Sequence, residues 1–173
     1  MIRHPDSTVA VGGANRSHAT ATTTSAAEPG DHHSHATHSR STRTAMGWGF
    51  IVGIVNAATP AAMWWLDQST SHALIITLIA AVYIGFAVAD GRPHVIAAEC
   101  AVAATFMILA AVAITVGPWL LVSLYLAHGC KDLWQHRSHF VHGTRWWPPF
   151  CMTVDVTVAG LIAIAIGAGI GFN

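Results

Sequence analysis

The chain has 173 residues, of which 53% are apolar and 9% charged, against roughly 25% charged residues in an average soluble domain. That composition excludes an ordinary water-soluble globule and makes the lipid bilayer the expected partner. Eight acidic residues balance eight basic ones, so the summed positive field that recruits nucleic acid is missing and no nucleic-acid partner is expected.

Residues 1–44 are rich in Ser, Thr, Ala, Gly and His and contain no aromatic residue. Such a segment buries too little apolar surface to offset its ordering entropy, so a disordered N-terminal tail is predicted. Its longest apolar run is Val9–Val11, far short of the apolar stretch of about 7 to 15 residues in a secretory signal. His32, His33, His35 and His38 are its one chemical feature, ligands without fixed geometry.

A bilayer core needs about 20 helical residues to cross, and the chain beyond residue 44 supplies long uncharged runs. Taken in order, spans are predicted over 45–66, 73–89, 95–116, 118–137 and 150–172, giving an all-α, five-span helical bundle. The fourth is the difficult one: a largely apolar, uncharged run of ten residues up to Ala127 gives way to His128, Lys131 and Asp132. Loop charges decide in its favour, because cytoplasmic flanks carry the excess of Lys and Arg. With five crossings, Arg40, Arg43, Arg92, Lys131, Arg137 and Arg145 share one side and the opposite loops carry no base. The predicted location is therefore the plasma membrane, with the N-terminus cytoplasmic and the C-terminus external. The seven Trp residues fall near predicted span ends, where indole prefers the headgroup boundary. Pro118, Pro148 and Pro149 mark helix starts, since proline lacks an N–H.

Two spans carry small residues four apart: Gly49, Gly53, Ala57 and Ala61 in the first, and Ala163, Gly167 and Gly171 in the last. Such ridges let helices approach closely in lipid, within one chain or in a homo-oligomer. Asn56 and Pro60 interrupt the first span, with a kink as the default expectation.

Charged groups inside a span are costly by at least about 2.5–3.5 kcal/mol on insertion scales, so each requires a reason. At 1.5 Å per residue, Glu99 lies about 8 Å in from His94, Asp132 about 8 Å in from Arg137, and Asp155 about 9 Å in from Pro149. Tyr83 is about 10 Å in from Asp90, and His128 about 14 Å in from Arg137. Three carboxylates on three helices thus share one level, facing one fixed positive charge, Lys131. Either protons, a bound cation or an inward-turned arginine must complete the balance.

On a helix His128, Asp132 and His136 lie along one face at i, i+4 and i+8. A carboxylate between imidazoles can ligate a metal or orient a ligating histidine. The continuation through His139 and His142 resembles, over fewer than ten residues, the cytoplasm-facing histidine clusters of membrane di-iron oxygenases and desaturases. The several His boxes and larger chain of those families are not reproduced, and the chain is not assigned to them. Cys100, Cys130 and Cys151 match neither a disulfide framework nor a zinc pattern, and no phosphate-binding glycine loop, G-x-S-x-G or H-E-x-x-H occurs.

The residues point to a cytoplasm-facing site inside the membrane. Glu99, His128, Asp132 and His136 are the candidate ligands of a transition-metal ion that does redox chemistry. Tyr83 and Asp155 are candidates for a proton or ion relay. Two further classes stay open: a proton- or ion-handling transporter subunit, and an assembly subunit whose polar layer only fixes helix register.

Overall fold

The computed structural model describes residues 32–170, with side chains from residue 40 onward. Most of the expected tail, and Gly171 of the second small-residue ridge, lie outside the described residues, as do the side chains of His32, His33, His35 and His38. The described chain is all helical: α1 His32–Ala57, α2 Thr59–Ala62, α3 Gln68–Asp90, α4 Pro93–Val116, α5 Pro118–Ser138 and α6 Trp147–Gly167. Residues 32–44, placed in the tail by composition, thus open α1. Three of these helices, α3, α4 and α6, are each long and apolar enough to cross a bilayer.

The five long helices alternate in direction because short turns join them. α3, α4 and α5 follow one another through turns of two residues or fewer. Gly91, in the left-handed region at φ 79°, closes α3 with its N–H on the Ala87 carbonyl 3.1 Å away, and Pro93 starts α4. Gly117 at φ 135° separates α4 from Pro118. At the start of α3, Asp67 caps the helix, its Oδ1 accepting the Thr70 N–H at 2.8 Å.

Several predicted boundaries change: α3 starts at Gln68 instead of 73 and α6 at Trp147 instead of 150, and two span ends move for an evident physical reason. The first span, expected as one helix over 45–66, ends at Ala57 and is followed by the single turn α2. Pro60 has no N–H for the carbonyl four residues back, and its ring collides with that turn, so the helix stops ahead of it. The last span, expected to reach 172, stops at Gly167. Gly169 takes a left-handed φ of 72°, and the Ile170 N–H returns to the Ala165 carbonyl at 3.0 Å, a glycine stop of the ordinary kind.

α6 lies at the centre of the packing, with α1 on one face and α5 on another, while α4 bridges α3 to α5. Gly49 and Gly53 make the α1 contact possible: a Cβ at Gly49 would stand 2.5 Å from the Phe150 carbonyl oxygen, and one at Gly53 2.7 Å from the Thr157 Cβ. The first small-residue ridge therefore pairs inside the chain. Gly167 of the second ridge has nothing within 4 Å of its would-be Cβ.

The outer surface is apolar. Phe50, Ile51, Leu78, Ile108 and Ile164 are exposed, while the interior holds Tyr83, Glu99, Tyr125, His128, Asp132 and Asp155. Apolar outside and charged within is the pattern of a bundle whose solvent is lipid. It also explains why α5 scores as less apolar than its neighbours: its polar residues turn inward, and Leu126, Leu133 and Trp134 face outward.

Candidate metal centre

His128 is the hub. Its position on α5 places it against α6 and beneath rings from α3 and α4, with the Phe106 ring edge-on at 5.1 Å and the Tyr83 ring at 6.0 Å between centroids. α6 packs close here: a Cβ at Gly129 would lie 3.6 Å from the Asp155 Cβ, at ordinary contact distance. One turn further along α5, Asp132 stands on the same face as His128. His128 Nδ1 is 2.8 Å from Asp155 Oδ2 and 3.4 Å from Asp132 Oδ2, and all three side chains are fully buried. One possible ligand atom from each lies within 4.8 Å of the other two, which makes His128, Asp132 and Asp155 a group that could hold a metal ion.

Among the described residues Oδ1 of Asp155 and Nε2 of His128 have no hydrogen-bond partner, while Asp132 interacts with the His128 ring and the Tyr83 hydroxyl. Buried polar atoms left open in this way are uncommon and expensive. The Tyr83 hydroxyl is within electrostatic reach of Asp132, and Cys151 within reach of both aspartates.

Glu99 belongs to a neighbouring group closer to the α3–α4 turn. Its Oε2 is 2.9 Å from the Lys131 ammonium, its Oε1 accepts a short hydrogen bond from Gln135 Nε2, and Lys131 Nζ lies 3.6 Å above the centre of the Tyr83 ring. Lys131, which on sequence grounds alone had the choice of reaching out to the surface, is turned inward. His136 is half-buried and lines a cavity with His139 and His142 at the end of α5. The four expected ligands are thus divided: His128 and Asp132 stand together, joined by Asp155, while Glu99 and His136 occupy positions nearer that end of the bundle.

Composition and spacing left some residues out. Tyr125, fully buried three residues before His128, donates its hydroxyl to the His72 carbonyl at 3.2 Å and carries the polar interior toward the opposite end. The i, i+3 spacing to His128 was a readable signal. Gln135 gave none, because an uncharged amide at a helix end reads as surface. At the near end Asp90 ties two loops together, accepting the His142 N–H at 2.7 Å and pairing with Arg92, whose guanidinium reaches the Phe140 carbonyl at 2.6 Å. The Asp90 carboxylate raises the Arg92 guanidinium above its ordinary value. The three cysteines are free thiols.

Comparison with known proteins adds no family to this geometry: no family model, no curated protein and no solved structure matches the chain.

Proposed function

We propose that this protein is a five-span plasma-membrane protein that holds one divalent transition-metal ion at His128, Asp132 and Asp155 and uses it for redox chemistry on the cytoplasmic side. The observation that carries the reading is one fully buried histidine whose Nδ1 stands 2.8 and 3.4 Å from carboxylate oxygens of Asp155 and Asp132, on two helices, in a group that could hold a metal ion. Two carboxylates and a neutral imidazole carry two negative charges, which a divalent ion balances, while Glu99 and Lys131 balance each other. Ligand atoms about 2.0–2.1 Å from a common ion stand about 3 to 3.4 Å apart in octahedral or tetrahedral geometry, close to the 2.8 and 3.4 Å separations at His128. One nitrogen and two carboxylates suit Mn or Fe, the redox-active choices, with Zn2+ as a redox-silent stand-in at the same ligands. Three protein ligands leave coordination positions open, the condition for chemistry at the ion. Tyr83 is the chain's own group in reach to give or accept a proton there. The interior direction of α5's polar side chains supports its crossing, and with it the five-span count.

The test is metal analysis of the detergent-purified chain with His32, His33, His35 and His38 replaced by Ala, beside His128→Ala, Asp132→Asn and Asp155→Asn. One ion per chain, lost in each variant with helicity retained, is the expected result. A chelator should lower the unfolding temperature of the parent and leave the variants unmoved, because an ion that binds only the folded state stabilises it by mass action. A chain that takes up no Mn2+, Fe2+ or Zn2+ while its variants fold normally would overturn the metal centre.

A second reading is favoured by the buried 2.8 Å His128–Asp155 hydrogen bond, with the Tyr125 hydroxyl within electrostatic reach of Asp155: a proton relay. Proton flux into liposomes by the metal-free chain, abolished by Tyr125→Phe, is its expected signature.

A further inference from the structure

A fully buried centre needs a way in. Beside the end of α5 is a cavity of about 290 Å3 lined by Gln135, His136, His139, His142, Arg145 and Pro148. Its loop wall is fixed to the α3–α4 turn, because Asp90 accepts the His142 N–H and Arg92 donates to the Phe140 carbonyl. Gln135 is 2% exposed. Its amide N–H donates to Glu99, while its Oε1 has no hydrogen-bond partner among the described residues. An open, buried carbonyl oxygen beside imidazoles is a lone acceptor where a cation gains ligands.

From Gln135 inward the polar groups are continuous. Glu99 joins Gln135 to the Lys131 ammonium, Lys131 lies on the Tyr83 ring, and Tyr83 faces Asp132. Positions 128, 132 and 135 follow one face of α5, and His139 stands just past its end. Lys131 is the one cation on this column among the described residues, and it sits where an incoming cation would meet its first carboxylate. Its charge is carried on a flexible four-carbon stem.

We propose that this cavity is the vestibule through which a divalent cation reaches His128, Asp132 and Asp155, and that Glu99, Lys131 and Gln135 form its gate. The Lys131 ammonium acts as a tethered counter-ion: it neutralises Glu99 while the column is empty and swings aside when an ion takes its place. His136 and His139 capture the ion at the mouth. The inference rests on the metal-centre reading and adds the route and its control.

The experiment follows Zn2+ uptake by the full-length, detergent-purified chain in stopped flow with a zinc indicator dye, the tail histidines again replaced by Ala. The paired variant His136→Ala/His139→Ala alters exposed or half-exposed positions and is expected to fold as the parent does. It should slow uptake about tenfold, the low end of what local charge and ligand focusing contributes to association, with one ion still bound at equilibrium. Lys131→Met should quicken uptake by a similar factor. Parent-like rates in the histidine pair, with one ion bound by the parent, would place the route elsewhere and leave the centre standing. A parent that binds none of Zn2+, Mn2+ and Fe2+ would overturn both.

Discussion

Helix α6 makes two close seams, and they are built differently. Against α1 it offers Thr153, Thr157 and the Phe150 carbonyl to Gly49 and Gly53, a contact of methyl groups and backbone with no charge in it. Against α5 it offers Asp155 to Gly129 and His128. Glycine is required for the approach at the first seam, where a Cβ would clash, whereas at the second a Cβ on Gly129 would sit at ordinary contact distance. The first seam is satisfied by shape alone, whereas the second brings two aspartates and a histidine into lipid-shielded space, where removing one partner strands the others. A seam that could have been sealed with small apolar residues instead carries charge, and the proposed metal centre rests on that difference.

The largest expected effect breaks the charged seam. His128→Ala leaves Asp132 and Asp155 facing each other without the group between them, and should cost about 3–5 kcal/mol, the range for stranding a buried charge. Thermal unfolding in detergent measures it, and an unchanged midpoint would show that the aspartates do not depend on His128. The uncharged seam should respond less. Gly53→Val would press on the Thr157 methyl and the Val154 carbonyl, with an overpacking cost of about 1–3 kcal/mol and no change in metal content. Loss of the ion in that variant would mean the two seams are not independent.

The smallest effect lies outside both seams, at the cap of α3. Asp67→Ala should cost about 1 kcal/mol. The Thr70 hydroxyl and N–H hold the Asp67 carboxyl below its ordinary value. Its contribution is therefore present above the normal carboxylate range and fades as pH falls through the lowered value. Unfolding midpoints of the parent and Asp67→Asn, compared at pH 6 and pH 3, should show the parent losing more on acidification. Equal losses would remove Asp67 as the source.

Much of this was legible beforehand because lipid imposes simple rules. Pro118 and Pro148 announce helix starts, and a carboxylate inside an apolar run announces a buried role, so Glu99, Asp132 and Asp155 stood out at one depth. Depth is a one-dimensional quantity, however, and says nothing of which carboxylates meet. The sequence makes Asp155 a relay candidate and Glu99 a metal-ligand candidate beside His128, whereas in the fold Asp155 is the one that meets His128 and Glu99 pairs with Lys131. Which of them approaches the ring depends on the rotation of α4 and α6 about their axes, set by packing at Gly129, Gly49 and Gly53.

The amino-acid sequence by itself therefore determined that the chain is helical, apolar outside and polar within, since backbone hydrogen bonds must be met internally wherever water is absent. Only the tertiary structure decided that His128 meets Asp155 as well as Asp132, that Lys131 turns inward to Glu99, and that Gln135 bridges the interior to a histidine-lined cavity. Those pairings lie between helices, where side-chain direction and interhelical distance, and no periodicity along one helix, determine which charges find each other.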